Sequence, residues 1–130
     1  MGKAVLIVDD DPDIILYVST ILEKIGCHIS GAKNGEEAMN KIKQNRPDLI
    51  ILDVVMPLQS GVKLYRYLKT NENYKNIPIC MLTGISKQTF LDSQEALSEF
   101  SDQSVPEPNA YVEKPLNPEQ FTKIVQKFIQ

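Results

Sequence analysis

Apolar residues in this chain gather into short unbroken runs, separated by longer amphipathic stretches. Val5 to Val8 (VLIV), Leu49 to Leu52 (LIIL) and Ile79 to Leu82 (ICML) are continuous rather than alternating, the pattern of strands buried on both faces. Two shorter strands are predicted around His28 to Ala32 and Ala110 to Val112. Between them lie helical patterns. Pro12 opens the first, which carries Ile14, Ile15, Val18, Ile21, Leu22 and Ile25 at helical spacing and stops at Gly26. Asn34 reads as the N-cap of a second, with Glu37 three residues on as in a capping box; it runs to about Asn45, before Pro47. Residues 60–70 form a third helix, and roughly 86–100 a fourth carrying Phe90, Leu91, Leu97 and Phe100. Asn117-Pro118-Glu119-Gln120 opens the fifth with an N-cap, a proline in the first turn and a capping-box Gln. Strand and helix alternate five times. That order predicts an open, doubly wound α/β fold, a parallel sheet with helices on both faces.

Composition narrows the class. With 130 residues, 24% charged and 42% hydrophobic, the chain is expected to form one domain, 1–130, with a core that needs no staples. A net charge of -3 without a Lys/Arg block argues against direct nucleic-acid binding. Cys27 and Cys80 lie in separate apolar segments without metal-ligand spacing, and read as reduced, buried thiols. The first apolar run is cut short by acids, so it is neither a signal peptide nor a membrane span. A cytoplasmic domain with no membrane contact is expected. The one shift in composition, SDQSVPEPN at 101–109, reads as a surface loop.

The candidate chemistry begins at VLIVDDDPD (5–13), where three adjacent carboxylates follow a buried strand. Like charges so close are unfavourable unless something positive binds. Asp11 fits the N-cap before Pro12, but Asp9 and Asp10 have no such role. In doubly wound folds the crevice lies at the carboxyl ends of the strands. Four strands deliver polar groups there: Asp9 and Asp10, Asp53, Thr83 and Lys114. Singly, each has an ordinary explanation as a turn, a cap or a solvated charge. Together they make an oxygen-rich site for a hard cation with anion donors alongside, and Mg²⁺ suits it best. An EF-hand reading fails. With Asp9, Asp11 and Asp13 as its first ligands, Ile14 falls where Gly is required and Thr20 where Glu closes the loop. An imidazole site fails as well, because His28 is the only histidine and is expected on an edge strand.

The stretches VLIVDDDPD (5–13), LIILDVVMPLQSG (49–61), MLTG (81–84) and YVEKP (111–115) resemble the receiver domain of two-component response regulators, from Lys3 to Phe128. The resemblance implies a flavodoxin-like five-stranded sheet of order 2-1-3-4-5. It implies that Asp53 is the phosphoacceptor, that Asp10 ligates Mg²⁺ directly and Asp9 mostly through water, and that the Val55 carbonyl completes the protein's share. Thr83 would bind a phosphoryl oxygen and Lys114 would pair with Asp53 or its phosphoryl group. Gly84 would leave room, Tyr111 would be the aromatic switch, and the Lys114-Pro115 bond would be cis. Val55 and Ile85, two beyond Asp53 and Thr83, would border the approach of the hydrolytic water. Both are apolar, which implies slow self-dephosphorylation. The implied donor is a histidine kinase or phosphotransfer protein; with no DNA-binding segment after the last helix, output would pass by contact with a further protein, and the sequence could equally be an excised receiver module of a larger protein. No enzymatic activity is implied beyond phosphoryl acceptance and loss.

One segment departs from the family. Thr83 to Lys114 is longer than usual, with the excess in 101–109, expected to be an exposed, mobile loop that only Val105 anchors. Two rival readings remain testable. A haloacid-dehalogenase-type phosphatase would use Asp9-Asp10-Asp11 as its D-x-D motif, but leaves Asp53 unexplained. A receiver fold that no longer phosphorylates would not need the full set Asp9, Asp10, Asp53, Thr83 and Lys114.

Overall fold

In a computed structural model, residues 2–56, 60–98 and 105–129 are described. Five strands alternate with five helices: β1 (Ala4–Val8), α1 (Pro12–Glu23), β2 (His28–Ala32), α2 (Gly35–Gln44), β3 (Leu49–Leu52), α3 (Ser60–Thr70), β4 (Ile79–Thr83), α4 (Lys87–Ser98), β5 (Ala110–Glu113) and α5 (Pro118–Ile129). The strands pair in parallel in the order β2-β1-β3-β4-β5. The doubly wound fold read from the sequence is the one observed.

Continuous apolar runs arise because both faces of the sheet are covered. Leu6, Val8, Ile50, Leu52, Ile79 and Met81 point to one face, where Ala38 and Ile42 of α2, Leu64, Tyr65 and Leu68 of α3, and Phe90 of α4 close over them. The intervening Val5, Ile7, Leu49, Ile51, Cys80 and Leu82 point to the other, under Val18 and Leu22 of α1 and Phe121 and Val125 of α5. Successive strand residues therefore enter opposite cores, and neither parity is free to be polar. β2, on the edge, exposes His28 and Ser30 and is not continuous. Cys27 and Cys80 are both buried free thiols.

Helix starts follow the expected side chains. Asp11 Oδ1 accepts the Asp13 N–H at 2.9 Å, and Asn34 Oδ1 accepts the Glu37 N–H at 2.8 Å. Asn117 Oδ1 accepts the Gln120 N–H at 3.0 Å. Glu37 reaches back to the Lys33 N–H at 3.2 Å, one residue before the cap, so its return bond differs from the standard capping box. Gly26 has φ +88°, the left-handed conformation that ends α1 and turns the chain toward β2. α1 stops at Glu23, leaving Ile25 beyond it, and α4 begins at Lys87, one residue after the expected start, and is described as far as Ser98. Phe100 and residues 101–104 lie outside the described residues.

The remaining part of the long segment is better anchored than the sequence implied. Val105 packs on the core, Tyr65 donates its hydroxyl to the Pro106 carbonyl, and Asn109 exchanges backbone and side-chain bonds with β4. Polar anchors of this kind carry no hydrophobic signal, so an apolar count does not find them.

Candidate functional site

Sheet register puts the acids side by side. Val8 pairs with Leu52, and one residue further the Asp9 N–H donates to the Ala32 carbonyl at 3.0 Å and the Asp53 N–H to the Val8 carbonyl at 2.9 Å. Two neighbouring strands thus release the chain at the same level, each with an aspartate as its first free residue. On β4 the strand continues through Thr83, which is its last residue rather than the first after it. The Lys114 N–H donates to the Thr83 carbonyl at 2.8 Å, so β5 delivers its lysine to the same edge.

The side chains converge. Lys114 Nζ lies 2.9 Å from Asp9 Oδ2 and 3.0 Å from Asp53 Oδ2. The other oxygen of each acid accepts a backbone N–H two residues on: Asp11 to Asp9 Oδ1 and Val55 to Asp53 Oδ1, both at 2.9 Å. Asp9 and Asp53 are buried, whereas Asp10 is exposed beside them. Carboxylate oxygens of all three lie within 4.8 Å of one another. Among the described residues, three clustered carboxylates thus share one ammonium, which bonds two of them, Asp9 and Asp53. Burial raises the Asp9 pKa above the usual carboxylate range, and the Asp53 charge adds to it, although the Lys114 bond and the Asp11 N–H pull the other way. Burial works against the Lys114 cation, but its bonds to Asp9 and Asp53 outweigh that and raise its pKa.

A shortage of positive charge among hard oxygen donors is what a small divalent cation relieves, and this donor set suits Mg²⁺. A second feature points to an anion. Thr83 is fully buried, and among the described residues its Oγ1 has no hydrogen-bond partner. A buried hydroxyl without a partner is uncommon, and an oxygen-bearing ligand next to Asp53 would supply one. A Cβ at Gly84 would meet nothing within 4 Å, so the chain after Thr83 borders open space.

The other expected residues are placed as follows. Tyr111 donates its hydroxyl to the Ile85 carbonyl at 2.8 Å and lies 3.2 Å from that of Ser86; burial, then the Glu113 and Asp53 charges, push its pKa up to about 12. Val55 is 55% exposed beside Asp53, whereas Ile85 is half-buried against the core. The Lys114-Pro115 bond is cis, as expected. Asp11 is engaged as the cap of α1 instead of joining the three acids, which removes the D-x-D pairing that the phosphatase reading needs.

Gly61, the last residue of the stretch 49–61, faces the turn that carries Asp53. A Cβ there would lie 2.6 Å from the Asp53 carbonyl oxygen and 2.6 Å from Val54 Cα. Only glycine lets α3 approach the turn that holds Asp53. The signal available in the sequence was Ser60-Gly61 opening a helix soon after a strand-end acid.

Comparison with known proteins agrees with the geometry. A family model described as "Response regulator receiver domain" matches residues 5–126. Protein PilG of Pseudomonas aeruginosa is 29% identical over 98% of this chain and 88% of its own length. The phosphate regulon transcriptional regulatory protein PhoB of the same species is 34% identical over 93% of this chain, which spans only 49% of that longer protein. The chemotaxis protein CheY4 of Vibrio cholerae superposes with a TM-score of 0.81 at 30% identity, covering 98% of this chain and 99% of that one. Among the described residues no helix is long and apolar enough to cross a membrane. The chain belongs to the CheY-like response regulator receiver domains of two-component signalling, whose members are typically phosphorylated and bind Mg²⁺.

Proposed function

We propose that Asp53 is the residue that accepts the phosphoryl group, from a phosphohistidine of a histidine kinase or phosphotransfer protein. The observation that carries this reading is the shared lysine: the buried Asp53 carboxylate lies at a strand end, 3.0 Å from a Lys114 ammonium that also holds Asp9. An Asp53 carboxylate oxygen attacks phosphorus as the P–N bond breaks, and the departing imidazole nitrogen keeps the electron pair and takes a proton. Lys114, freed from Asp53 on that side, turns to the new phosphoryl oxygens, and the Thr83 hydroxyl donates to another. Asp9, Asp10 and Asp53, with the Val55 carbonyl, would hold Mg²⁺. Once bound, that ion offsets charge on the transferred group. The backbone N–H of Val55 keeps the Asp53 carboxylate oriented for attack.

Tyr111 is assigned as the switch residue, and Val55 and Ile85 as the residues that set the life of the aspartyl phosphate. The domain is read as extending over 1–130 and working in the cytoplasm, with output by contact with another protein and no direct contact with nucleic acid or membrane. Beyond accepting and losing its own phosphoryl group it performs no turnover.

The test is intact-mass analysis after incubation with a small phosphodonor and Mg²⁺. One added phosphate is expected. It should disappear in Asp53→Asn and when EDTA removes the metal. An undiminished adduct in Asp53→Asn would place the acceptor elsewhere.

A further inference from the structure

Behind the acidic cleft, three rings stand in a row across three elements. Tyr111 of β5 packs against Phe90 of α4 with centroids 5.9 Å apart, and Phe90 meets Tyr65 of α3 edge-on at 5.4 Å and 84°. Phenolic hydroxyls tie the row at both ends. That of Tyr111 donates to the Ile85 carbonyl, two residues past Thr83; that of Tyr65 donates to the Pro106 carbonyl, in the segment leading to β5. A polar link runs alongside. The Lys87 N–H donates to Glu113 Oε1 at 3.1 Å, while Lys87 Nζ lies 3.7 Å from Glu107.

We propose that this row couples the β4–α4 edge of the cleft to residues 105–109, so that a ligand beside Asp53 is reported at Pro106 and Glu107. The ligand's identity rests on the acceptor reading above; the coupling itself does not. Thr83 Oγ1 gains a hydrogen bond if the end of β4 closes on an oxygen-bearing ligand. The chain directly after Thr83 carries the Ile85 and Ser86 carbonyls that face the Tyr111 hydroxyl. Movement of that chain either carries the ring or breaks its bond. Phe90 and Tyr65 are sealed in the core, where close-packed rings shift together or not at all.

The far end determines where the movement emerges. Asn109 is pinned to the start of β4: its N–H donates to the Ile79 carbonyl at 2.9 Å, and its Oδ1 accepts from the Ile79 N–H at 2.9 Å and from Lys69 Nζ at 2.6 Å. With Asn109 held, displacement arriving through Tyr65 falls on Pro106 and Glu107, the exposed residues next to it. Residues 105–109 thereby become a readout surface of the site.

Two measurements on the full chain test this. The first is a urea-unfolding cycle with Tyr65→Phe, Tyr111→Phe and the double variant, each removing a hydroxyl and keeping its ring. The unfolding constant of the double variant should depart from the product of the single effects by about threefold or more. Additive effects would overturn the coupling. The second follows backbone amide shifts on adding beryllium fluoride with Mg²⁺. Glu107 should move in the parent and lose most of that movement in Tyr65→Phe, while Val55 responds equally in both. A Glu107 amide that stays still while Val55 responds would also overturn the proposal. If Val55 never responds but the cycle is non-additive, the acceptor reading falls and the coupling stands.

Discussion

Asp9 and Asp53 are held alike, one oxygen on a backbone N–H two residues ahead and the other on the single ammonium of Lys114. That sharing explains why a salt-bridged Asp9 still has its pKa raised: burial is the larger effect, and half a lysine does not offset it. On the acceptor reading proposed above, residues flanking this pair would set what happens after phosphorylation. Hydrolysis needs a water in line with the phosphorus, and neither Val55 nor Ile85 has a side chain that can orient one. The structure separates the two, since Val55 is out in solvent beside Asp53 and Ile85 is partly absorbed into the core. Slow decay of the aspartyl phosphate is therefore expected, with Val55 the stronger control. Val55→Asn/Ile85→Glu should shorten the lifetime by roughly tenfold to a hundredfold, the range in which a positioned polar group acts. The measurement is loss of phosphorylated protein with Mg²⁺ present. A double variant that decays no faster would show that shielding by these side chains does not set the rate.

At the scale of elements, the site depends on how closely α3 can follow β3. Gly61 sits where any Cβ would press on the backbone of Asp53 and Val54, not on a flexible side chain that could yield. Gly61→Ala should destabilise the fold by about 1–3 kcal/mol, as overpacking does, and should also lower the phosphorylation rate. Urea unfolding and the rate with a small phosphodonor check the two halves. A stable, fully active variant would mean that α3 moves away without disturbing Asp53. The difference between Gly61 and Asp53 also shows what the sequence makes legible. Strands β1, β3 and β4 were plain because both parities enter a core, and Asp9, Asp10, Asp53, Thr83 and Lys114 were plain because strand ends in such folds share an edge. Asn34 and Asn117 announced helix starts through their caps. What stayed hidden depends on close approach between distant segments. Gly61 against Asp53, Tyr65 with Pro106, and Asn109 with Lys69 and Ile79 leave no local pattern. β4 runs one residue further than its apolar pattern predicts, since a Thr can end a strand or follow it.

Over the whole molecule, the site exists only because the fold is complete. Lys114 is 105 positions from Asp9 and 61 from Asp53, yet its ammonium touches both. An unfolded chain cannot hold those groups together, so a cation that needs them binds the native state alone. Such binding stabilises the fold by mass action, about 2.7 kcal/mol at a hundredfold excess over Kd. For domains of this general size each kcal/mol moves Tm by roughly 2–8 °C. Mg²⁺ should therefore raise Tm in a concentration-dependent way. Asp10→Asn separates this from a general salt effect. Asp10 is exposed and adds a third carboxylate to a cluster that has one ammonium, so its neutralisation relieves repulsion when no metal is bound. That variant should melt at the same temperature as the parent or higher without Mg²⁺, and should gain less when Mg²⁺ is added. Sodium chloride at matched ionic strength should not reproduce the parent's rise. If parent and Asp10→Asn responded to Mg²⁺ equally, the three acids would not be acting as one cation site, and the crowding of Asp9, Asp10 and Asp53 would need another cause.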